Sequence, residues 1–291
     1  MKTKVDLIER YGIDLEGAVR KLTYQGNWTQ LLDLSARFRS YSPLNLLLLF
    51  SQGCNRGFSP TLVAGYRGWQ KLGRQVRKGE KALYIFAPSI RRVSQIGGDV
   101  PGDSAEEVLV GFRMVSVFDL CQTFGDNLTL PPEPQLLELD SSEISVFVQR
   151  LNFLLTLRGY RVEFEPLEAV NGFTDFENRL VKVRSDVSSA QCLKTLLHET
   201  AHVILHQERY VSRVQAELEA ESCAYVVCRA LGFDSSSYSF PYVARWSNGD
   251  LDLVSRVAQS VHSCAGEILD CLEVTDETGR RPSENLEDVC S

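Results

Sequence analysis

The segment Leu196-Leu197-His198-Glu199-Thr200-Ala201-His202-Val203-Ile204-Leu205-His206 decides how the second half of this 291-residue chain is read. It lies in a helix-forming stretch without glycine or proline and is flanked by apolar residues. On a helix, positions i and i+4 share a face. His198 and His202 can therefore reach one ion, with Glu199 beside them where water bound to that ion would lie. Two imidazoles and an adjacent carboxylate suit binding of one Zn2+ and removal of a proton from water. His206 continues the i+4 series, but three successive turns drift away from one point. Its expected role is structural, or support of a ligand.

A catalytic zinc needs a third protein ligand and an open position. The next expected helix, about 212–231, carries Glu217, Glu219 and Glu221. Glu217 and Glu221 share a face, and Glu219 points elsewhere. Either of the pair could ligate, with the other hydrogen-bonding a ligand histidine. The apolar run from Ser222 to Leu231 predicts a largely buried helix, on which two carboxylates require a partner. HExxH followed by Glu217-Leu-Glu-Ala220-Glu221-Ser-Cys-Ala224 resembles the gluzincin metallopeptidases, in particular the ImmA/IrrE-type regulatory peptidases and the peptidase-like domain of ArdC antirestriction proteins. The stretch Leu231 to Trp246 also resembles ArdC-like chains. The resemblance implies a zincin-like fold with Glu199 as catalytic base. It makes His198, His202 and Glu217 the metal ligands, with Glu221 bonded to one of them.

Outward from this centre, Ser141-Ser-Glu opens an amphipathic helix to Leu157. Tyr160 to Glu165 alternates as a strand, Asn171-Gly172 reads as a turn, and Leu180 to Arg184 alternates again, so a hairpin is expected. Helices follow at about 188–206, 212–231 and 249–273. The expected peptidase-like domain is 141–275, followed by an acidic tail, 276–291. Pro131, Pro132 and Pro134 break regular structure and mark a linker over 129–140.

Residues 1–128 read as a small α+β domain, so the fold class is α+β in two domains. A helix around Trp28 to Arg39 and another opened by Ser42-Pro43 are expected. A short helix from Gly65 to Leu72 ends at Gly73. A strand over 82–88 is stopped by Pro88, a mobile loop covers 93–106, and a long strand covers 107–118. The net charge of −7 hides a split. Residues 61–93 hold Arg67, Lys71, Arg74, Arg77, Lys78, Lys81, Arg91 and Arg92 against Glu80 alone, a local +7; residues 1–60 carry +3 and the remainder −17. Such asymmetry points to one polyanion-binding half and one acidic half with another task.

Aromatic residues interleave with the cations from Tyr66 to Lys81, the pattern in which rings stack on bases and cations follow phosphates. Gly73 and Gly79 permit close backbone approach. Trp69 taken alone reads as a core residue. In order, Tyr41-Ser-Pro-Leu-Asn45, Gln52, Ala64 to Ala82 and Val117 to Thr123 resemble the N-terminal single-strand-DNA-binding domain of ArdC proteins. That resemblance spans about residues 20–125. It implies binding of incoming single-stranded DNA and protection of a mobile element, with Asn45, Tyr66, Arg67, Trp69, Lys71, Arg74, Arg77, Lys78 and Lys81 as the candidate DNA-contacting residues.

Apolar residues at 44% and charged residues at 24% exclude a disordered or collagen-like chain. The run Leu46 to Phe50 is far short of the ~18–20 residues of a membrane span. With no apolar signal segment and no CxxC pair, the eight cysteines read as reduced thiols in a cytoplasmic protein. Three readings follow. One is an ArdC-like antirestriction protein with single-stranded DNA as partner. Another is an ImmA-type peptidase that cleaves a repressor. The last is a non-catalytic DNA-binding protein with a structural metal.

Overall fold

The computed structural model describes residues 4–23, 25–93, 106–125, 141–233, 247 and 250–272. The expected linker over 129–140, the acidic tail over 276–291, the core of the loop over 93–106 and most of Leu231 to Trp246 lie outside the described residues. The chain forms two compact units. Among the described residues, one holds 4–15 and those between 48 and 125, and the other holds 16–47 and those between 141 and 272.

In the first unit, α1 (Lys4–Arg10) precedes the later part of α4 (Pro43–Arg56). Then come β1 (Val63–Ala64), α5 (Tyr66–Lys71), β2 (Arg74–Val76), β3 (Leu83–Val93), β4 (Glu106–Asp119), a 3-10 turn (Leu120–Gln122) and β5 (Thr123–Gly125). One antiparallel sheet has the order β1-β4-β3, and β2 pairs with β5 in a second. Leu83 opposes Val117, and the register slips at a bulge after Ser89. The expected stop at Pro88 does not occur. Pro88 pairs with Phe112 inside β3, and β3 is an edge strand, where a missing N–H costs no bond to a further strand.

Several polar residues within the ArdC-resembling motifs hold this unit together. The Asp119 carboxylate is fully buried and accepts from the backbone N–H groups of Thr61 (2.6 Å), Leu62 (3.2 Å) and Cys121 (2.9 Å). Gln122 accepts from Asp119 N and donates to Lys81 O at 2.8 Å, closing a capping box. Gln52 serves both backbone groups of Tyr84, accepting from its N–H and donating to its carbonyl, each at 2.9 Å.

The second unit contains most of α2 (Leu15–Leu22), α3 (Gln25–Arg37) and the start of α4. It continues with α6 (Ser141–Leu157), β6 (Arg161–Glu165), β7 (Gly172–Asp175), β8 (Leu180–Arg184), α7 (Ser189–His206), α8 (Arg213–Leu231) and α9 (Leu251–Leu272). Residues 16–47 are thus grouped with the C-terminal part, whereas the sequence reading places them in a domain over 1–128. The reason is burial. The apolar face of α3 (Trp28, Leu31, Leu32, Leu34) needs α8 to cover it. The pairing is sealed by Trp28 Nε1 donating to Ser222 Oγ (3.0 Å) and Tyr225 OH donating to Asp33 (2.8 Å). The fourth histidine, His262, is buried between Ser35 Oγ and Tyr41 O at 3.2 and 2.9 Å.

The sheet order is β6-β8-β7, with β6 and β8 parallel and β7 antiparallel to β8. The expected hairpin of β6 and β8 is therefore corrected. Gly172 opens a third strand rather than a turn, and the hairpin joins β7 to β8. Gly172 is required by close packing, because a Cβ there would lie 2.5 Å from Thr195 Cγ2 and 2.8 Å from Lys182 O. This approach sets β7 against α7. Helix α7 is capped by Ser188, whose hydroxyl accepts from Gln191 N at 3.3 Å. Its buried Leu193, Leu196, Leu197, Ala201 and Val203 fix which face His198 and His202 present.

Candidate functional site

His198 Nε2 and His202 Nε2 lie 3.0 Å apart. Glu217, from α8, brings Oε2 to 3.5 Å from His198 Nε2 and 3.9 Å from His202 Nε2. The three ligand atoms lie within 4.8 Å of one another, an arrangement that could hold one cation. Glu221 Oε2 stands on the other side of His198, 3.2 Å from Nδ1. One turn of α8 thus places the two carboxylates against opposite nitrogens of one imidazole.

The charges fit this arrangement. Burial disfavours protonation of His198, but the Glu217 and Glu221 carboxylates outweigh it and raise its pKa to about 9. Both of its nitrogens then carry hydrogen, and Nε2–H points into the space between His202 and Glu217. His202 is pushed down to about 3 by burial and by the neighbouring His198 charge. The hydrogen bond to His198 holds Glu217 below the ordinary carboxylate range. A cation at this position would replace one proton.

Glu199 is buried, and its Oε2 accepts from Thr174 Oγ1 on β7 at 2.7 Å. Burial raises its pKa, and the Thr174 bond only partly offsets this. Sequence reasoning missed Thr174, whose only signal was an alternating segment after Asn171-Gly172.

Glu219 is the fully buried carboxylate of α8, while Glu217 and Glu221 are half exposed or partly exposed. It accepts from Arg209 Nη2 at 2.5 and 2.7 Å and from Gln215 Nε2 at 3.0 Å, and His206 Nε2 lies 2.9 Å from it. Glu217 and Glu221, expected to require a partner on a largely buried helix, both lie against His198, but the carboxylate buried most deeply is Glu219. His206 Nδ1 is 3.0 Å from His202 Nδ1, so this third histidine faces away from the three ligand atoms.

The candidate DNA-contacting residues divide. Trp69 is fully buried and donates Nε1–H to Phe118 O at 2.8 Å, so no ring face is open to a base. This corrects its assignment as a stacking residue: the amphipathic α5 turns it into the core. Asn45 is also buried, within α4. Arg74 donates to Thr123 Oγ1 at 2.8 Å, and Arg77 is engaged with Glu80 at 2.9 Å and with Cys121 O. Arg67, Lys71, Lys78 and Lys81 are exposed, as is Tyr66, whose hydroxyl accepts from Gln75. Gln75 pairs across the strands with Phe124, an exposed ring that sequence reasoning missed. Gly73 and Gly79 adopt φ of 71° and 91°, so their glycines answer turn geometry.

Residues 15–118 match the family profile described as the N-terminal domain of anti-restriction factor ArdC. Over that stretch the chain is similar to ArdC proteins. Its fold is similar to that of the Mn(II)-bound crystal structure of the antirestriction ArdC protein from plasmid R388. The TM-score is 0.51 with 19% identity, covering 84% of this chain and 99% of that one. The metal-free structure of the same protein gives a TM-score of 0.49 with 20% identity, covering 80% and 85%. An uncharacterized protein of Bacillus anthracis is 24% identical over 282 residues, 84% of this chain and 47% of its own length. The chain thus spans about half the length of that curated relative. No helix among the described residues is long and apolar enough to cross a membrane.

Proposed function

We propose that this ArdC-like chain is a cytoplasmic antirestriction protein that binds single-stranded DNA and carries a metal-dependent, peptidase-like centre of zincin type. The convergence of His198 Nε2, His202 Nε2 and Glu217 Oε2 within 4.8 Å carries the reading. Two nitrogens and one carboxylate oxygen fit Zn2+, and the solved ArdC structure is Mn(II)-bound, which supports a divalent ion as the metal. A divalent ion held there polarises a carbonyl and acidifies water. The chain's own contribution is a base. Glu199, raised by burial and fixed through Oε2 by Thr174, accepts a proton at Oε1. Glu221 orients His198 from its far nitrogen. A protein is the substrate class implied by this arrangement.

In the other unit, Tyr66 and Phe124 offer ring faces to bases, and Arg67, Lys71, Lys78 and Lys81 follow the phosphates. Protection of incoming mobile DNA combines the two activities.

The deciding experiment compares wild type with Glu199→Gln in four assays: metal content, single-stranded DNA affinity, protein cleavage, and protection of transferred DNA from restriction. Glutamine keeps the shape but cannot take the proton, so the variant retains metal and DNA binding. It loses cleavage by ~10²–10⁴. Equal cleavage by both proteins excludes Glu199 as the base. Undiminished protection with no cleavage by either supports a DNA-binding protein with a structural metal.

A further inference from the structure

Behind the candidate metal centre lies a chain of part-buried polar contacts, Arg209–Glu219–His206–His202, which the hydrolytic reading leaves unused. The Glu219 side chain is 0% exposed and that of His206 5% exposed. We propose that Glu219 and His206 are positioning residues that fix the tautomer of His202, so that its Nε2 presents a lone pair to the metal. The consequence for metal binding rests on the reading above, whereas the tautomer assignment rests on hydrogen-bond geometry alone.

The assignment follows from donor and acceptor roles. Ionised Glu219 can only accept, and Arg209 and Gln215 already donate to it. Its 2.9 Å contact with His206 Nε2 therefore uses an Nε2–H of His206. A neutral imidazole with hydrogen on Nε2 has a lone pair at Nδ1. That lone pair lies 3.0 Å from His202 Nδ1, which must then carry the hydrogen. His202 Nε2 is left bare, facing His198 Nε2 and Glu217 Oε2. Arg209 anchors the far end with two contacts to Glu219, so the direction of the chain is set by a group that can only donate. A ligating histidine commonly gives its other N–H to an acceptor in this way. Here the acceptor is a second histidine, and the carboxylate is one residue further back.

Glutamine at position 219 reverses the polarity. Arg209 claims the amide oxygen, which turns the amide NH2 toward His206 Nε2. The His206 hydrogen then moves to Nδ1, and that of His202 moves to Nε2, among the ligand atoms.

The chain has only four histidines, so the full-length protein labelled with 15N-histidine gives a readable two-bond correlation spectrum. His262 serves as an internal standard, because its Nε2 contacts the carbonyl of Tyr41, which can only accept. The expected wild-type result is His202 protonated at Nδ1 and His206 at Nε2. In Glu219→Gln, His202 shifts to Nε2–H, and its affinity for Zn2+ and Mn2+, measured by chelator competition, falls 10–100-fold. Wild-type His202 protonated at Nε2 in the metal-free protein, or His206 protonated at both nitrogens, overturns the relay. So does a folded Glu219→Gln that changes neither tautomer nor affinity. If Glu219→Gln does not fold, the wild-type tautomers still decide. A wild type that takes up neither metal yet shows the expected tautomers upholds the relay and refutes the metal reading instead.

Discussion

Metal uptake should be a proton exchange at one residue, His198. In the metal-free protein the Glu217 and Glu221 carboxylates overcome burial and hold its pKa at about 9, and its Nε2–H lies 3.0 Å from His202 Nε2. His202, pushed down to about 3, has already lost its proton at any working pH. Between pH 6 and pH 8 a divalent ion therefore displaces close to one proton per site. The apparent affinity falls about tenfold per unit of acidification, or ~100-fold and ~2.7 kcal/mol over that interval. An unperturbed histidine would instead leave affinity nearly constant from pH 7 upward. Titration calorimetry of Zn2+ at pH 6, 7 and 8, in buffers of different ionisation enthalpy, counts the released protons directly. The sign for stability is opposite to that for metal binding. Because the folded pKa lies above the unfolded value near 6.5, the protonated His198 stabilises the metal-free fold below pH 6.5. That contribution is lost as pH rises through about 9. Zinc affinity that stays flat between pH 6 and pH 8, with no proton released, would refute the assignment of His198 as the proton-holding ligand.

Four further outcomes follow from the first unit. Trp69→Ala should lower stability by ~3–5 kcal/mol in denaturant titration, because it empties a fully buried site, and a stability loss under ~1 kcal/mol would place the ring outside the core. Tyr66→Ala and Phe124→Ala should each cost ~1–3 kcal/mol in single-stranded DNA affinity with the salt dependence unchanged, measured by fluorescence anisotropy. If Arg67, Lys71, Lys78 and Lys81 neutralise four phosphates, log K should fall with log salt at a slope of about −3, and alanine at Lys71 and Lys78 should flatten it by ~1.4; a slope near zero in wild type would sink the phosphate contacts. Asp119→Ala removes the acceptor of three backbone N–H groups and should destabilise the chain by at least ~1–3 kcal/mol, read as a fall in the thermal midpoint.

Much of the helical content was legible because helices depend on local pattern. Ser42-Pro43, Ser188 and Ser212 mark starts that the structure keeps, and Gly159 and Gly232 follow the ends. The spacing of His198, Glu199 and His202 put three chemical groups on one turn, since four residues on a helix come close to a full rotation. Everything that depended on a partner distant in sequence was hidden. The pattern of Glu217, Glu219 and Glu221 shows which carboxylates share a face of α8, but not which face is buried. Packing against α7 decided that Glu219 goes inside, where His206 and Arg209 compensate its charge. Trp69 went into the core and Phe124 was left exposed for the same reason: which aromatic ring is covered depends on surfaces brought together by the fold. Residues 16–47 joined the C-terminal unit because the apolar face of α3 packs on α8, some 190 residues away. Thr174 reached Glu199 because Gly172 let β7 approach α7 without a Cβ between them. Short-range helical geometry made the candidate ligands His198 and His202 readable from the chain. Tertiary structure alone decided which of its carboxylates is a buried anchor, since burial depends on surfaces that meet only after the chain has folded.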